Sequence, residues 1–235
     1  MKHSPNDQLF LYEEILLLAL KDEEGTLAFG VMLGQALGGA ILAELLLQER
    51  VEATSDKKPV IRAVTRKPLG DPILDDALEL IRSSKKPLDA GSCVGRFAAL
   101  KDLYHRAARQ LVRRGVLKAD EDKILWIFKR RIYPERDPKI EREILERLEH
   151  AIFKASADLD ARTTVLVGLA HATGLLSANF DKKELKKHKQ RIEKIAQGEL
   201  VGRATQQAVE AVQTAIMVAS IMPAMTATVI ASTSN

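Results

Sequence analysis

From Leu9 to Lys21 the chain is apolar apart from the adjacent Glu13 and Glu14, and it stops at Asp22-Glu23-Glu24-Gly25, where a glycine suits a helix end. This pattern predicts a short helix and a turn. A second apolar run, Leu27 to Gln48, carries no charge between Thr26 and Ala43, which is long enough to raise the question of a membrane span. Gln35 interrupts it, Glu44 follows at once, and no basic cluster flanks it, so the better reading is a buried central helix. Gly30, Gly34 and Gly38 recur every fourth residue and give that helix a stripe that another backbone can approach closely.

Between Arg50 and Lys67 the pattern becomes β-friendly, with Val51, Val60, Ile61 and Val64 around Ser55-Asp56-Lys57-Lys58-Pro59, which predicts two short strands and a hairpin loop. Gly70-Asp71-Pro72 then introduces a helix over Ile73 to Arg82, because aspartate can cap orphan N–H groups and proline suits the first turn. Local capping explains Asp71, Asp75 and Asp76 more cheaply than a metal site does. Ser83 to Gly95, rich in Ser, Lys, Pro and Gly, reads as a loop. Phe97 to Arg114 returns to helical periodicity, with Leu100, Leu103, Tyr104, Ala107 and Leu111 on one side and His105, Arg106, Arg109 and Arg113 on the other.

Val116-Leu117-Lys118, the polar stretch from Ala119 to Lys123, and Ile124-Leu125-Trp126-Ile127-Phe128 predict a second hairpin, followed by Lys129-Arg130-Arg131. The only tryptophan stands beside three consecutive cations. That combination suits a membrane interface or a subunit contact, with core packing as the plain alternative for Trp126. Asp137-Pro138 opens a helix over Lys139 to Lys154, Asp160 to Leu176 forms another containing His171, and the cation-rich Lys182 to Lys194 reads as a solvated helix face able to add to a cationic surface. Val212 to Ala231 is uncharged, but its threonines, Ser220 and Pro223 favour a packed helix and an apolar tail over a span.

Composition sharpens the fold class. Across 235 residues, 46% are hydrophobic but only 4% aromatic, a balance that favours helix packed on helix. The expectation is a mainly α, compact helical domain with small β-hairpin elements, one of them protruding: a single unit over 1–235, with its core at about 9–215 and an apolar tail at about 216–235. A net charge of +4 favours phosphate-bearing surfaces without naming which. The single cysteine, Cys93, excludes an internal disulfide, and residues 1–8 lack a secretory pattern, so the expected address is cytoplasmic.

The chain has no Gly-rich phosphate loop ending in Lys-Ser/Thr, no GxSxG and no HExxH. His171, on an apolar helix, reads as a buried structural histidine, and Cys93 as an incidental loop thiol with no histidine to activate it. No enzyme activity, metal or cofactor is expected.

The run Leu9-Phe10-Leu11-Tyr12-Glu13-Glu14-Ile15-Leu16-Leu17-Leu18-Ala19-Leu20-Lys21-Asp22-Glu23-Glu24-Gly25 closely resembles the opening signature of the Golgi phosphoprotein 3 family. The likeness continues through Gly70-Asp71-Pro72-Ile73-Leu74-Asp75-Asp76-Ala77-Leu78, Leu111-Val112-Arg113-Arg114-Gly115-Val116-Leu117 and Leu169-Ala170-His171-Ala172, covering about residues 9–215. The resemblance implies a peripheral membrane protein of the cytosolic face that recognises phosphatidylinositol 4-phosphate, adapts protein cargo and self-associates through an apolar hairpin at about Val116 to Tyr133. Nucleic acid is not an expected partner.

The family's eukaryotic headgroup pocket uses one tryptophan and several arginines, and this chain departs from it. By alignment the tryptophan position falls on Phe29, one arginine position on Gly38, and two others on Lys101 and Tyr104, with Arg106 nearby. Lysine lacks arginine's planar fork, so selective recognition of one phosphoinositide weakens, while generic anionic-lipid affinity from Lys129, Arg130, Arg131 and the face carrying Arg106, Arg109 and Arg113 remains. The expected headgroup-binding residues are therefore Phe29, Lys101, Tyr104, Arg106 and Arg109. The membrane or oligomer hairpin is Trp126, Phe128, Lys129, Arg130 and Arg131. The alternative is a homo-oligomeric interaction scaffold without specific lipid recognition.

Overall fold

A computed structural model describes residues 8–21, 26–27, 32–54, 59–124, 128–154 and 158–201. The first apolar run forms α1 (Leu11–Ala19), followed by the two-residue strands β1 (Leu20–Lys21) and β2 (Thr26–Leu27), which pair antiparallel. The uncharged second run forms α2 (Leu33–Leu47), buried without interruption from Ala36 to Leu46. Helix α1 packs along it. An apolar helix with no polar face needs neighbours on every side, and α2 supplies the centre of the core on that account. Among the described residues no helix is long and apolar enough to cross a membrane.

Strands β3 (Val51–Ala53) and β4 (Ile61–Ala63) pair antiparallel, Val51 opposite Ala63. Helix α3 (Pro72–Arg82) starts where the sequence places it, with the Asp71 carboxylate accepting from the Ile73 and Leu74 N–H groups at 3.0 and 2.9 Å. The expected loop to Gly95 is corrected: α4 (Ala90–Ala98) begins inside it, capped by Asp89 through the Ser92 N–H at 2.7 Å. Glycines at 91 and 95 had read as loop residues, but α4 packs against α2 at the glycine stripe, where small residues are what close approach requires. A Cβ on Gly38 would stand 2.5 Å from the Val94 carbonyl oxygen.

The expected single helix from Phe97 to Arg114 is also corrected. It breaks after Ala98, and Asp102, with φ at 58°, turns the chain into α5 (Leu103–Arg113). A hairpin forms here as expected, but its place is corrected: the stretch expected as the polar turn is strand β5 (Asp120–Ile124), it pairs with β6 (Phe128–Ile132) in the register Asp120 opposite Ile132 and Ile124 opposite Phe128, and the cations expected after the hairpin lie in β6. At its root the Lys118 N–H donates to the Pro134 carbonyl at 2.9 Å. Helix α6 (Pro138–Phe153) follows, capped by Asp137. The stretch expected as one helix over 160–176 is α7 (Ala161–Ala172) and α8 (Leu175–Asn179), divided at Gly174, whose positive φ of 83° suits glycine. The cationic stretch likewise divides at His188 into α9 (Lys182–Lys187) and α10 (Lys189–Ala196), with α10 against α7.

The fold class is the expected one: mainly α, with small antiparallel hairpins. One hydrophobic cluster runs from Leu9 to Ile195. The expected apolar tail lies outside the described residues.

Candidate functional site

The charged residues of α1 do not face water. Glu13, Glu14 and Glu44 are all buried, and each is held by groups from distant parts of the chain. Phe10, the residue before α1, has no side-chain acceptor, so the free N–H groups at the helix start need partners from elsewhere. Glu13 Oε2 accepts from the Phe10 N–H at 2.9 Å and Glu44 Oε2 from the Leu11 N–H at 2.7 Å. Both carboxylates also sit at the positive end of the helix dipole.

Three arginines complete the arrangement. Arg114 Nε lies 3.1 Å from Glu13, Arg147 donates to Glu14 at 2.8 Å, and Arg162 spans Glu14 at 3.4 Å and Glu44 at 3.2 Å while also donating to the Leu9 carbonyl. Burial pushes the Glu13 carboxyl up to about 7, against the pull of the Phe10 N–H and Arg114. Beside it the Tyr12 hydroxyl donates to Asp71 at 2.8 Å, and Gln110 reaches both groups. Tyr12 is raised far above its ordinary value, first by burial and then by the neighbouring carboxylates. Every one of these groups is tied to another within the protein, which fixes α1 against α2, α5, α6 and α7. The sequence marks Glu13 and Glu14 only as acids interrupting an apolar run, and that interruption is the signal that they are buried and paired.

The predicted headgroup residues are distributed differently. Phe29 lies outside the described residues. Lys101 is exposed, but in the turn between α4 and α5 and not on a helix. Tyr104 is partly buried in an aromatic cluster with His105 and Tyr133, whose ring centroids stand 4.8 and 5.7 Å from its own. Arg106 is engaged by Asp76 at 2.5 Å and by the Pro72 carbonyl at 3.0 Å, and Arg109 by Asp102 at 2.9 Å. Arg113 donates to the Gln110 carboxamide. The arginine face of α5 is thus largely neutralised by local acids and polar groups. Position 38 cannot take a larger residue on this backbone, since Gly38 abuts the carbonyl of Val94.

Of the predicted hairpin residues, Trp126 lies outside the described residues, while Phe128, Lys129, Arg130 and Arg131 lie along β6. The register sets Arg131 opposite Glu121, Arg130 opposite Asp122 and Lys129 opposite Lys123. Two of the three cations therefore hold register positions opposite acids. Sequence reading treated the cations as a run and missed this alternation with the acids ahead of the turn.

The remaining candidates are structural or inert. Asp75 reaches back to the Leu69 and Gly70 N–H groups at 2.6 and 3.2 Å, so capping accounts for it. Among the described residues no group of three or more His, Cys, Asp or Glu is placed to hold a metal ion. Cys93 is not in a loop: it is buried in α4, and burial pushes its thiol up to about 12. His171, expected to be buried, is exposed in the last turn of α7.

The model of the family described as Golgi phosphoprotein 3 (GPP34) matches residues 11–212. The chain belongs to the Golgi phosphoprotein 3 family. The matched stretch begins at the first residue of α1 and includes Glu13, Glu14, Glu44, Asp71, Gln110, Arg114, Arg147 and Arg162, so the buried charge network lies wholly within it. The chain is similar to Vacuolar protein sorting-associated protein 74 of Eremothecium gossypii, at 28% identity over 201 residues, covering 72% of this chain. It spans about 60% of the length of that relative.

Proposed function

We propose that this Golgi phosphoprotein 3-family protein is a peripheral membrane adapter without catalytic activity, which docks on anionic phospholipid headgroups and carries protein cargo. By family resemblance the headgroup is phosphatidylinositol 4-phosphate. The observation that carries the reading is the family match itself, which extends over ten helices and the three hairpins of the described chain. Supporting it, Lys101 is an exposed cation in the α4–α5 turn, three residues ahead of Tyr104. Each cation near an anionic membrane contributes on the order of 1 kcal/mol, so several suffice for salt-sensitive docking.

Vesicle co-sedimentation at low salt tests the reading. Binding should be stronger to vesicles containing anionic lipid than to neutral phosphatidylcholine, and should weaken as salt rises. Equal binding to both compositions sinks it.

The cross-strand pairing of β5 with β6 favours a second reading, in which the hairpin builds a homo-oligomer. Its register opposes Glu121 to Arg131 and Asp122 to Arg130, leaving little net charge for lipid phosphates along an element with Ile124 and Phe128 next to its turn. Deleting residues 119–131 separates the roles: loss of oligomer mass with retained vesicle binding assigns the hairpin to self-association.

A further inference from the structure

Beyond the bridge where the Ile61 N–H donates to the Leu88 carbonyl at 2.7 Å, the two chain segments diverge and leave an open groove. It has a volume of about 580 Å³ and lies between residues 60–66, the end of α3 and residues 84–88. Five of its lining residues are cationic, namely Arg62, Arg66, Arg82, Lys85 and Lys86, against the single acid Glu79. Glu79 is occupied by Arg82 at 2.7 Å. The other four cations are exposed and make no ion pair with a described residue, unlike Arg106 and Arg109 of α5; Arg62 has Glu52 opposite it across the β3–β4 ladder, while Arg66, Lys85 and Lys86 have no acid in such a position.

The backbone adds a donor. In the β3–β4 ladder Val64 donates to the Arg50 carbonyl and Thr54 to that of Val60, so the residues between, Ile61 and Ala63, turn their N–H groups away from β3. The Ile61 group is met by Leu88. That of Ala63 points to the same side, into the groove. The strand ends there, so the open edge offers one rung, too short for an added peptide strand, which depends on several. A compact anion that several cations and one N–H can surround fits the site better. Val64, 56% exposed, stands at the lip. A soluble anion would leave it in water, whereas a bilayer interface would cover it.

We propose that this groove is a binding site for the phosphate-bearing headgroup of an anionic membrane lipid, held by Arg62, Arg66, Lys85 and Lys86 with Val64 entering the interface. The proposal rests on the membrane reading above but assigns the contact to a different place. Arg106 engages the first turn of α3, while the groove is at its last, about 15 Å away along an 11-residue helix.

The test compares partitioning of the full chain onto phosphatidylcholine vesicles with and without phosphatidic acid, which presents a bare phosphate monoester. The triple variant Arg66→Glu, Lys85→Glu, Lys86→Glu should lose roughly a hundredfold in partitioning, at about fivefold per cation removed. A Lys101→Glu, Arg109→Glu variant should lose less, and the neutral polar replacement Val64→Asn should weaken vesicle binding while leaving the binding of inorganic pyrophosphate unchanged. Circular-dichroism melts confirm that the variants are folded. Wild-type protein that does not distinguish the two vesicle compositions overturns the membrane reading and this proposal together. Wild-type protein that distinguishes them, with the triple variant matching it, overturns the groove alone. Val64→Asn that leaves vesicle binding intact while pyrophosphate competes it away overturns the lipid source in favour of a soluble phosphate.

Discussion

At the start of α1, three buried carboxylates are met by three arginines that reach in from the surface, each acid placed against a cation or a backbone N–H; in the groove beside β4, four exposed cations make no ion pair with a described residue. The residue types are similar and the physics is opposite. In the first region charge removed from water is tolerable only because each carboxylate has a cation beside it, so the network fixes geometry and loses heavily when broken. In the second, charge remains solvated, contributes little to folding and is available to something outside the molecule.

The largest effect should come from breaking the buried set. Glu44→Ala removes the acceptor of the Leu11 N–H and leaves Arg162 with the more distant Glu14 as its one carboxylate among the described residues, beside the Leu9 carbonyl. A loss of about 3–5 kcal/mol in unfolding free energy is expected, as for removal of one partner of a buried ion pair. Urea denaturation measures it. A loss under about 1 kcal/mol would place the network among ordinary surface pairs and erase the contrast.

Glu13 gives the comparison a pH signature. Its carboxyl, at about 4.5 when unfolded, is pushed up to about 7 in the fold, chiefly by burial. A raised folded value means that its contribution is fully present below about pH 4.5 and is lost as pH rises through 7, because the unfolded chain releases the proton first. The window is therefore about pH 4.5 to 7, with a fall on the order of 3 kcal/mol across it. Glu13→Gln keeps an acceptor for the Phe10 N–H and should flatten that slope. An unchanged slope would show that Glu13 is ionised throughout.

Sequence periodicity carried the helical class, the positions of α1, α2, α3 and α6, and the β3–β4 hairpin, because an apolar face of period 3.6 or 2 is imposed by the core each element must join; it misplaced the β5–β6 hairpin, whose first strand is the polar stretch Asp120–Ile124. It failed at α4, where Gly91 and Gly95 read as loop residues although α4 packs on α2, whose Gly38 touches the Val94 carbonyl. It also failed at the Asp102 turn, since a left-handed aspartate leaves no hydrophobic mark. The functional side was less legible. Arg106 and Arg109 form one helical stripe in sequence, yet Asp76, distant in the chain, and Asp102, ahead of the helix, engage them in space. Arg62, Arg66, Lys85 and Lys86 lie in two segments that looked like hairpin and loop, and only the Ile61–Leu88 bridge brings them to one groove. Local pattern reports burial; convergence of exposed charge depends on tertiary contacts that no window of sequence contains.

The smallest stability effect should come from the groove, and its smallness is what makes the contrast useful. Arg66→Glu with Lys85→Glu changes two exposed side chains that make no ion pair with a described residue, so unfolding free energy should move by less than about 0.5 kcal/mol. Placing acids among Arg62 and Lys86 also relieves mutual repulsion of the cations, which gives any shift a stabilising sign at low salt and shrinks it as salt screens the site. Residues kept unpaired at a small cost to the fold are explained by a ligand that supplies the missing charge, so a melt that rises slightly in the variant while vesicle binding collapses is the expected pair of results. A destabilised variant would instead make these cations part of the scaffold, as Arg147 and Arg162 are, and the two regions would no longer differ in kind.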